Sequence, residues 1–244
     1  MTSAAEHSAA VQSLVASEPT RDEDAPGVVG GLQRLCRAAQ HDLPASGVGV
    51  GVLSESGELM TAAASSTTSG LVEELQLTMG EGPGLAAVSF RRPVLVPDLS
   101  AAAATTWPGF GPAAHDHGVR AMFAFPLQVG AACLGALHVY RDEVGSMSAW
   151  TMSRALTYAE VAMQSLLDAQ AKATPAVSAW ADLDDTRFEV YQAQGMVMSQ
   201  LSVRPAEAMS RMRAHAYANA LTLSAVADDI ISRRLRLEPD HPAR

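Results

Sequence analysis

The residues that could carry out chemistry in this 244-residue chain are few and widely separated. Cys36 and Cys133 are its only cysteines, and they form no CxxC pair, which argues against a disulfide framework or a thiolate zinc site. No GxSxG, HExxH, kinase or dinucleotide-binding pattern occurs, and the carboxylates form no recognisable acid–base pair. The sequence therefore predicts a protein that is not an enzyme and requires no cofactor.

Three histidines and one glycine-rich run are the remaining candidates for a binding site. His115 and His117 flank Asp116, and His138 follows in a later apolar segment. A metal site needs converging ligands, so solvated histidines are the favoured interpretation and no metal site is predicted. The run GEGPG at residues 80–84 lacks the GxxxxGK[ST] pattern of a phosphate-binding loop, and we interpret it as a turn between two helices.

Charge is distributed unevenly along the chain, whose formal net charge is −9. Residues 1–186 hold nine Lys or Arg and 20 Asp or Glu, whereas residues 187–237 hold seven Arg and four acids. A small basic segment therefore follows an acidic body, and this asymmetry raises the question of which anionic partner the segment binds.

The elements before residue 173 mix helical and strand periodicities. Apolar residues at helical spacing predict helices over 28–40, 69–79 and 147–172. Short apolar runs around turn residues predict hairpins over 47–64 and 120–141, with a short strand between two prolines inside 91–99. The apolar run at 121–140 contains polar residues, Pro and Gly, so a hairpin is favoured over a membrane helix. This order predicts an α+β fold with an antiparallel sheet.

Two stretches predict boundaries between domains. Residues 1–27 are rich in Ala and Ser with scattered acids, and we expect a flexible N-terminal arm rather than a signal peptide. Residues 173–185 interrupt the helical period with Pro175 and several acids, which indicates a linker. Three short helices are predicted beyond it, over 187–201, 205–219 and 222–237.

The first body, residues 28–172, contains the ordered series LQLTMGEGPGLAAVSFRRPVLVPDLS, WPGF, AAHDHGVRAMFAFPL and LGALHVYR. In this series it resembles a GAF domain of the actinobacterial regulator type. It implies a central antiparallel sheet with helices on both sides, and often a pocket for a small molecule. Such a pocket, for an unknown ligand, would be lined by aromatic residues and one histidine. Aromatic residues in a chain with so few of them are more often part of the core. The candidate pocket residues are Trp107, Phe110, His115, Phe123 and Phe125.

The C-terminal body, residues 186–244, contains the pattern AxGMVM, then xxAEAMxxMRxxA, then LxxVAxxII. In this pattern it resembles an ANTAR domain. It implies a three-helix bundle that, as a dimer, binds tandem RNA hairpins with short loops and prevents a terminator from forming. Gln194 stands where many members carry Lys. The contact candidates, which could alternatively form a solvated face, are Arg187, Gln194, Arg204, Arg211, Arg213 and His215.

The two resemblances together imply a signal-responsive regulator of transcription antitermination. We expect a cytoplasmic homodimer that binds nascent RNA, contacts the transcription machinery and does not associate with membranes. The helix over 147–172 is expected to close the first domain and to pair two subunits. The alternative is a protein-interaction or dimerisation regulator without RNA binding, in which the arginines only solubilise the bundle.

Overall fold

The computed structural model describes residues 4–54, 57–100, 105–172 and 185–238. The chain divides into two compact units, the first comprising most residues up to 183 and the second the residues from 184 onwards. Within the described ranges, no helix combines the length and the apolar character needed to cross a bilayer. The predicted linker at 173–185 lies, except for its last residue, outside the described residues.

The first unit is built on a five-stranded antiparallel sheet with the order β2-β1-β5-β4-β3. Both predicted hairpins are present, and Gly130 supplies the positive φ that the tight turn between β4 and β5 requires. Pro93 and Pro97 bracket β3, so this edge strand is only three residues long. The strands are β1 (Gly47–Leu53), β2 (Leu59–Ala64), β3 (Val94–Val96), β4 (Ala121–Val129) and β5 (Ala132–Arg141).

One face of the sheet holds the main hydrophobic core of this unit. Side chains that alternate along β1, β4 and β5 pack there, because successive strand residues point to opposite faces. The helices that contribute to this core are α1 (Ala4–Ser17), α2 (Gly27–Asp42) and α6 (Ala149–Lys172). In α6, Ala155, Tyr158 and Leu166 are fully buried, which confirms that the long helix closes the first unit.

The N-terminal segment is not the flexible arm that its composition predicts. Residues 4–17 form α1, and its Val11 is fully buried in the core. The acidic stretch that follows is held by Arg37 of α2, whose guanidinium contacts Glu18 at 3.1 Å and Asp24 at 2.7 Å. The prediction was wrong because it counted the acids as solvated charges, whereas a buried arginine pairs with two of them.

The opposite face of the sheet lies against α3 (Thr67–Met79) and α4 (Pro83–Phe90). The GEGPG run is the predicted turn between these helices, with positive φ at Gly80 and Gly82 and Pro83 in the first turn of α4. A short helix, α5 (Phe110–Asp116), follows β3, and Glu81 Oε1 accepts hydrogen bonds from the amides of Gly109 and Phe110 at 2.7 and 2.9 Å.

The second unit contains α7 (Asp185–Leu201), α8 (Pro205–Ala218) and α9 (Leu223–Ile231). Thr222 caps α9 as predicted, its Oγ1 accepting from the amide of Ala225 at 3.1 Å. This helix ends at Ile231 and not at Leu237, because Arg233 adopts a left-handed φ of 60° and the amides of Arg234 and Leu235 turn back to the Asp229 carbonyl. The shared core comes from side chains of all three helices, including Val197, Met209, Met212, Val226 and Ile230.

Candidate functional site

The predicted RNA contacts on α8 divide between exposed and partly engaged side chains. Arg204 immediately precedes the helix, at the N-cap position, and is exposed. Arg211 pairs with Glu207 one turn earlier at 3.1 Å, which neutralises part of its charge. His215, in the last turn, is half-buried. Arg204 and Arg211 therefore provide cationic groups on one flank of α8, with different degrees of intramolecular pairing.

Gln194 has a structural position rather than a surface position. Its side chain is buried, and its Nε2 donates to the carbonyl oxygen of Pro205 at 2.9 Å. This bond ties α7 to the first turn of α8 and satisfies a polar group inside the bundle. The side chain that the sequence predicts to contact RNA is therefore largely shielded from solvent within the bundle.

The two remaining predicted contacts are Arg187 of α7 and Arg213 of α8. Arg187 lies in α7, but its side chain is outside the described side chains. Arg213 is half-buried and lies on the border of α8 opposite to the flank of Arg204 and Arg211, as helical geometry predicts. The described contact candidates therefore do not converge on one patch.

The C-terminal end of α9 holds an arginine that sequence reasoning did not single out. Arg234 Nη2 lies 2.6 Å from Asp228 and its Nε lies 2.7 Å from Asp229, and these hydrogen bonds raise the pKa of Arg234 above its usual range. Arg233 and Arg236 are exposed beside it. Two acids thus offset one of the cations of this segment, and the basic character of the unit lies mainly with its other arginines.

The five aromatic and histidine candidates of the first unit are not brought together in one pocket. Phe123 and Phe125 point into the main core against α2 and α6 and are fully packed. Trp107 and Phe110 are buried outside that core cluster, and His115 is half-buried on α5. Because Phe123 and Phe125 contribute to the main core, they are structural residues, and their assignment to a ligand pocket is corrected.

A buried polar pair, which the sequence did not reveal, occupies the other face of the sheet. His138 Nδ1 of β5 lies 2.6 Å from Glu73 Oε2 of α3, and both side chains are almost fully buried. Gly49 of β1 leaves space for it, since a Cβ there would stand 2.2 Å from Glu73 Oε1. Gly84 of α4 likewise admits the His138 ring. The alternating glycines of GVGVGV are the only sequence signal for this packing.

Neither cysteine has the environment of a reactive thiol. Burial raises the pKa of the Cys36 thiol well above its usual range, which disfavours the thiolate. Cys133 is half-buried on β5 and donates to the Gly135 carbonyl at 3.5 Å. Among the residues that the structure describes, no three His, Cys, Asp or Glu side chains come together in a group that could hold a metal ion.

Comparison with known proteins divides the chain at the same place as the fold. Residues 184–231 match the ANTAR domain family. No curated protein matches the chain significantly. The chain is similar in structure to the GAF domain of a phosphoenolpyruvate-protein phosphotransferase from Coxiella burnetii, with 19% identity, a TM-score of 0.54, and coverage of 69% of this chain and 95% of that one.

A second solved GAF domain gives the same result. It belongs to a phosphoenolpyruvate-protein phosphotransferase from Acinetobacter and is 13% identical, with a TM-score of 0.53 and coverage of 72% of this chain and 99% of that one. At these identities the likeness concerns the fold alone. The chain therefore combines a first unit that has the fold of these solved GAF domains with a C-terminal segment, residues 184–231, that matches the ANTAR domain family.

Proposed function

We propose that this protein is a signal-responsive antitermination regulator whose C-terminal unit binds tandem hairpins in nascent RNA. Binding of the hairpins would prevent a terminator from forming, so that transcription continues. The observation that carries the proposal is the ANTAR match over residues 184–231, which overlaps residues 187–237, where basic residues outnumber acids. No covalent step is involved, because a shift between states of different RNA affinity is sufficient for regulation.

The chemistry of the second unit supports an RNA partner. Its seven arginines over residues 187–237 exceed its acids by three. Guanidinium groups form paired hydrogen bonds with phosphate oxygens, and protein readers of RNA sequence usually target unpaired loop bases. Exposed Arg204 is the leading phosphate contact in this proposal, and Arg211 would exchange its bond to Glu207 for one to phosphate.

The proposal includes a homodimer, because two linked units gain affinity for two linked hairpins. Once one unit is bound, the second acts at a millimolar effective concentration when the linkage spans the sites. Helix α6 offers a surface for such pairing: Leu156 is 45% exposed, and Met163 and Leu167 are half-buried on the same side. We further propose a cytoplasmic location, a small-molecule or protein signal received by the first unit, contact with the transcription machinery, and no catalytic activity or required cofactor.

One observation favours the alternative function, a protein-interaction regulator without RNA binding. Arg211 and Arg234 both pair with acids of their own unit, as expected of cations that serve solubility. The two functions differ in salt dependence. Binding through several phosphates releases counterions and weakens steeply with salt, whereas apolar docking does not.

The test is fluorescence anisotropy of a labelled RNA with two short-loop hairpins in tandem, titrated with the full-length protein at several salt concentrations. A single hairpin and a scrambled duplex of equal length are the RNA controls. Arg204→Gln should lower the slope of log K against log salt by about 0.7 to 0.9, the value of one lost phosphate contact. Arg21→Gln, which removes an exposed arginine of the first unit, is the matched control and should change neither slope nor affinity.

Preference for the tandem RNA with a steep salt slope is the expected result. Equal, weak and salt-insensitive binding of all three RNAs, with and without candidate signals, would overturn the proposal and favour the protein-interaction alternative. Sedimentation of the free protein tests the dimer separately, since a monomer that binds RNA would remove the pairing of subunits but not the RNA-binding function.

A further inference from the structure

An exposed aromatic ring distinguishes the surface of α8. Tyr217, in the last turn of the helix, is 66% exposed, the largest exposed fraction among the large hydrophobic side chains of the described residues. The other tyrosine of this unit, Tyr191, is half-buried, and its hydroxyl oxygen is buried. Among the described side chains of the second unit, Tyr217 is therefore the aromatic group available to a partner.

The residues around Tyr217 leave its ring uncovered. Helical geometry places Ala214 three positions before it and Ala218 immediately after it, and both are exposed. Ala220, beyond the end of the helix, is also exposed and has a left-handed φ of 52°. The ring is therefore flanked by small side chains and, at 66% exposure, is accessible to a flat ligand.

A half-buried cationic residue lies one helical turn from this ring. Arg213 precedes Tyr217 by four positions and so lies one helical turn away on the same side. Leu221, 37% exposed, follows by four positions and extends the apolar surface. An aromatic ring beside cations is the arrangement by which proteins hold single-stranded nucleic acid, with the base stacked on the ring and the phosphates near the charges.

We propose that Tyr217 is the stacking platform for one unpaired loop base of the bound RNA hairpin. This inference rests on the proposed function and adds to it a base-contacting residue absent from the set of arginines. Stacking on one base contributes about 1 to 3 kcal/mol by alanine substitution, which corresponds to a 5- to 150-fold change in Kd. The phenol hydroxyl has no part in the stack, so Phe would substitute for Tyr.

The experiment compares Tyr217→Ala and Tyr217→Phe with the wild-type full chain on the tandem hairpin RNA. Tyr217→Ala should raise Kd at least fivefold at constant salt slope, because it removes no phosphate contact, while Tyr217→Phe should bind within twofold of wild type. Both variants should fold, since the side chain is exposed and flanked by alanines. Circular dichroism and sedimentation of each variant check the fold and the oligomeric state.

A probe in the RNA identifies the stacked base. A series of hairpins carries a single abasic site at successive loop positions, and one position should weaken wild-type binding by the same factor as Tyr217→Ala. The combination of that abasic site with Tyr217→Ala should cause no further loss, because both remove the same contact. 2-Aminopurine at that position should be quenched on binding to wild type and to Tyr217→Phe, but not to Tyr217→Ala.

The possible outcomes distinguish the stacking role of Tyr217 from the proposed RNA-binding function. If wild type binds none of the hairpins, the proposed function itself fails. If wild type binds tandem hairpins and Tyr217→Ala binds equally well, the stacking role is wrong while the function stands. A shift of Tyr217→Ala to a smaller oligomer, with RNA affinity lost only through that shift, would assign the ring to a protein interface and overturn the inference.

Discussion

Removal of the Arg37 side chain should detach the N-terminal segment from the first unit. Arg37→Met keeps the length and the apolar stem of the side chain but deletes a guanidinium that is 5% exposed. That guanidinium binds both carboxylate oxygens of Asp24 at 2.7 and 2.9 Å, Glu18 at 3.1 Å and the carbonyl of Pro19 at 3.0 Å. The two carboxylates, 3% and 8% exposed, would lose their buried cation.

The loss can be estimated from these contacts. Breaking a buried ion pair by removal of one partner costs about 3 to 5 kcal/mol. The lower end applies here, since the segment near the N-terminus can swing outward and return both carboxylates to water. We therefore expect local opening of residues 4–26 to become easier by about 3 kcal/mol, equivalent to roughly a hundredfold faster exchange of the α1 amides.

Hydrogen exchange followed by mass spectrometry is the appropriate assay, because unfolding of a chain with two units is not a single two-state transition. Peptides from α1 should lose protection while peptides from β4 and β5 retain it. Arg34→Met is the matched control on the same helix, since its Nη1 donates to Thr20 at 3.0 Å and binds no carboxylate of this cluster. Its effect should stay below about 1 kcal/mol.

Low pH should reproduce, in the wild-type protein, part of the faster exchange of the α1 amides that is expected for Arg37→Met. The Arg37 guanidinium lowers the pKa of Asp24 from 3.8 to about 2. Because the folded-state pKa lies below the unfolded-state value, the stabilisation is complete above about pH 5 and is lost progressively as the pH falls through the folded-state pKa of about 2. The shift corresponds to at most about 2 kcal/mol, from which solvent screening subtracts. Equal α1 exchange in wild type and Arg37→Met at pH 7 would refute this account of the segment.

Three further predictions concern glycine positions, a helix end and a buried amide. Gly49→Ala should destabilise the first unit by about 1 to 3 kcal/mol in a urea titration, because its Cβ would stand 2.2 Å from a carboxylate oxygen of α3. The control is Gly31→Ala in α2, whose Cβ would meet nothing within 4 Å and which should stabilise the unit by up to about 1 kcal/mol. Ala220→Gly should raise the stability of the second unit by about 0.5 to 1 kcal/mol in thermal unfolding, since its φ of 52° strains a residue with a Cβ, and a lower Tm would contradict that reasoning. Gln194→Leu should destabilise the same unit by about 1 kcal/mol, because the hydrogen bond from Gln194 to the Pro205 carbonyl is lost. The folded variant should bind RNA with wild-type affinity, and a specific loss of affinity would instead support Gln194 as an RNA contact.

The local patterns of the sequence predicted most of the architecture. Apolar residues that repeat with the strand or the helix period predicted both hairpins of the first unit, its long closing helix and the first two helices of the bundle. These periods depend only on residues that are close in the sequence. The positions of Pro and Gly residues also predicted the turn before α4 and the short edge strand β3. The boundary near residue 184 was visible as a break in helical period and in charge.

The candidate contacts were less predictable, because type and spacing do not specify burial. Gln194 and Arg204 looked alike as polar residues near one helix junction, yet one is enclosed by the bundle and the other is exposed. Phe123 and Phe125 looked suited to a pocket and instead fill the core. In each case a neighbouring element, not the residue's own helix or strand, decides whether the side chain meets solvent.

The sequence by itself determined most of the elements after α1, their order and the resemblance of the C-terminal segment, since these depend on short-range periodicity and motif spacing. Only the tertiary structure decided which charges are paired and which rings are open. Glu73 meets His138 across 65 positions of chain, and Arg37 meets Glu18 across 19. Such contacts depend on the packing of whole helices against the sheet, so no local pattern in the chain encodes them.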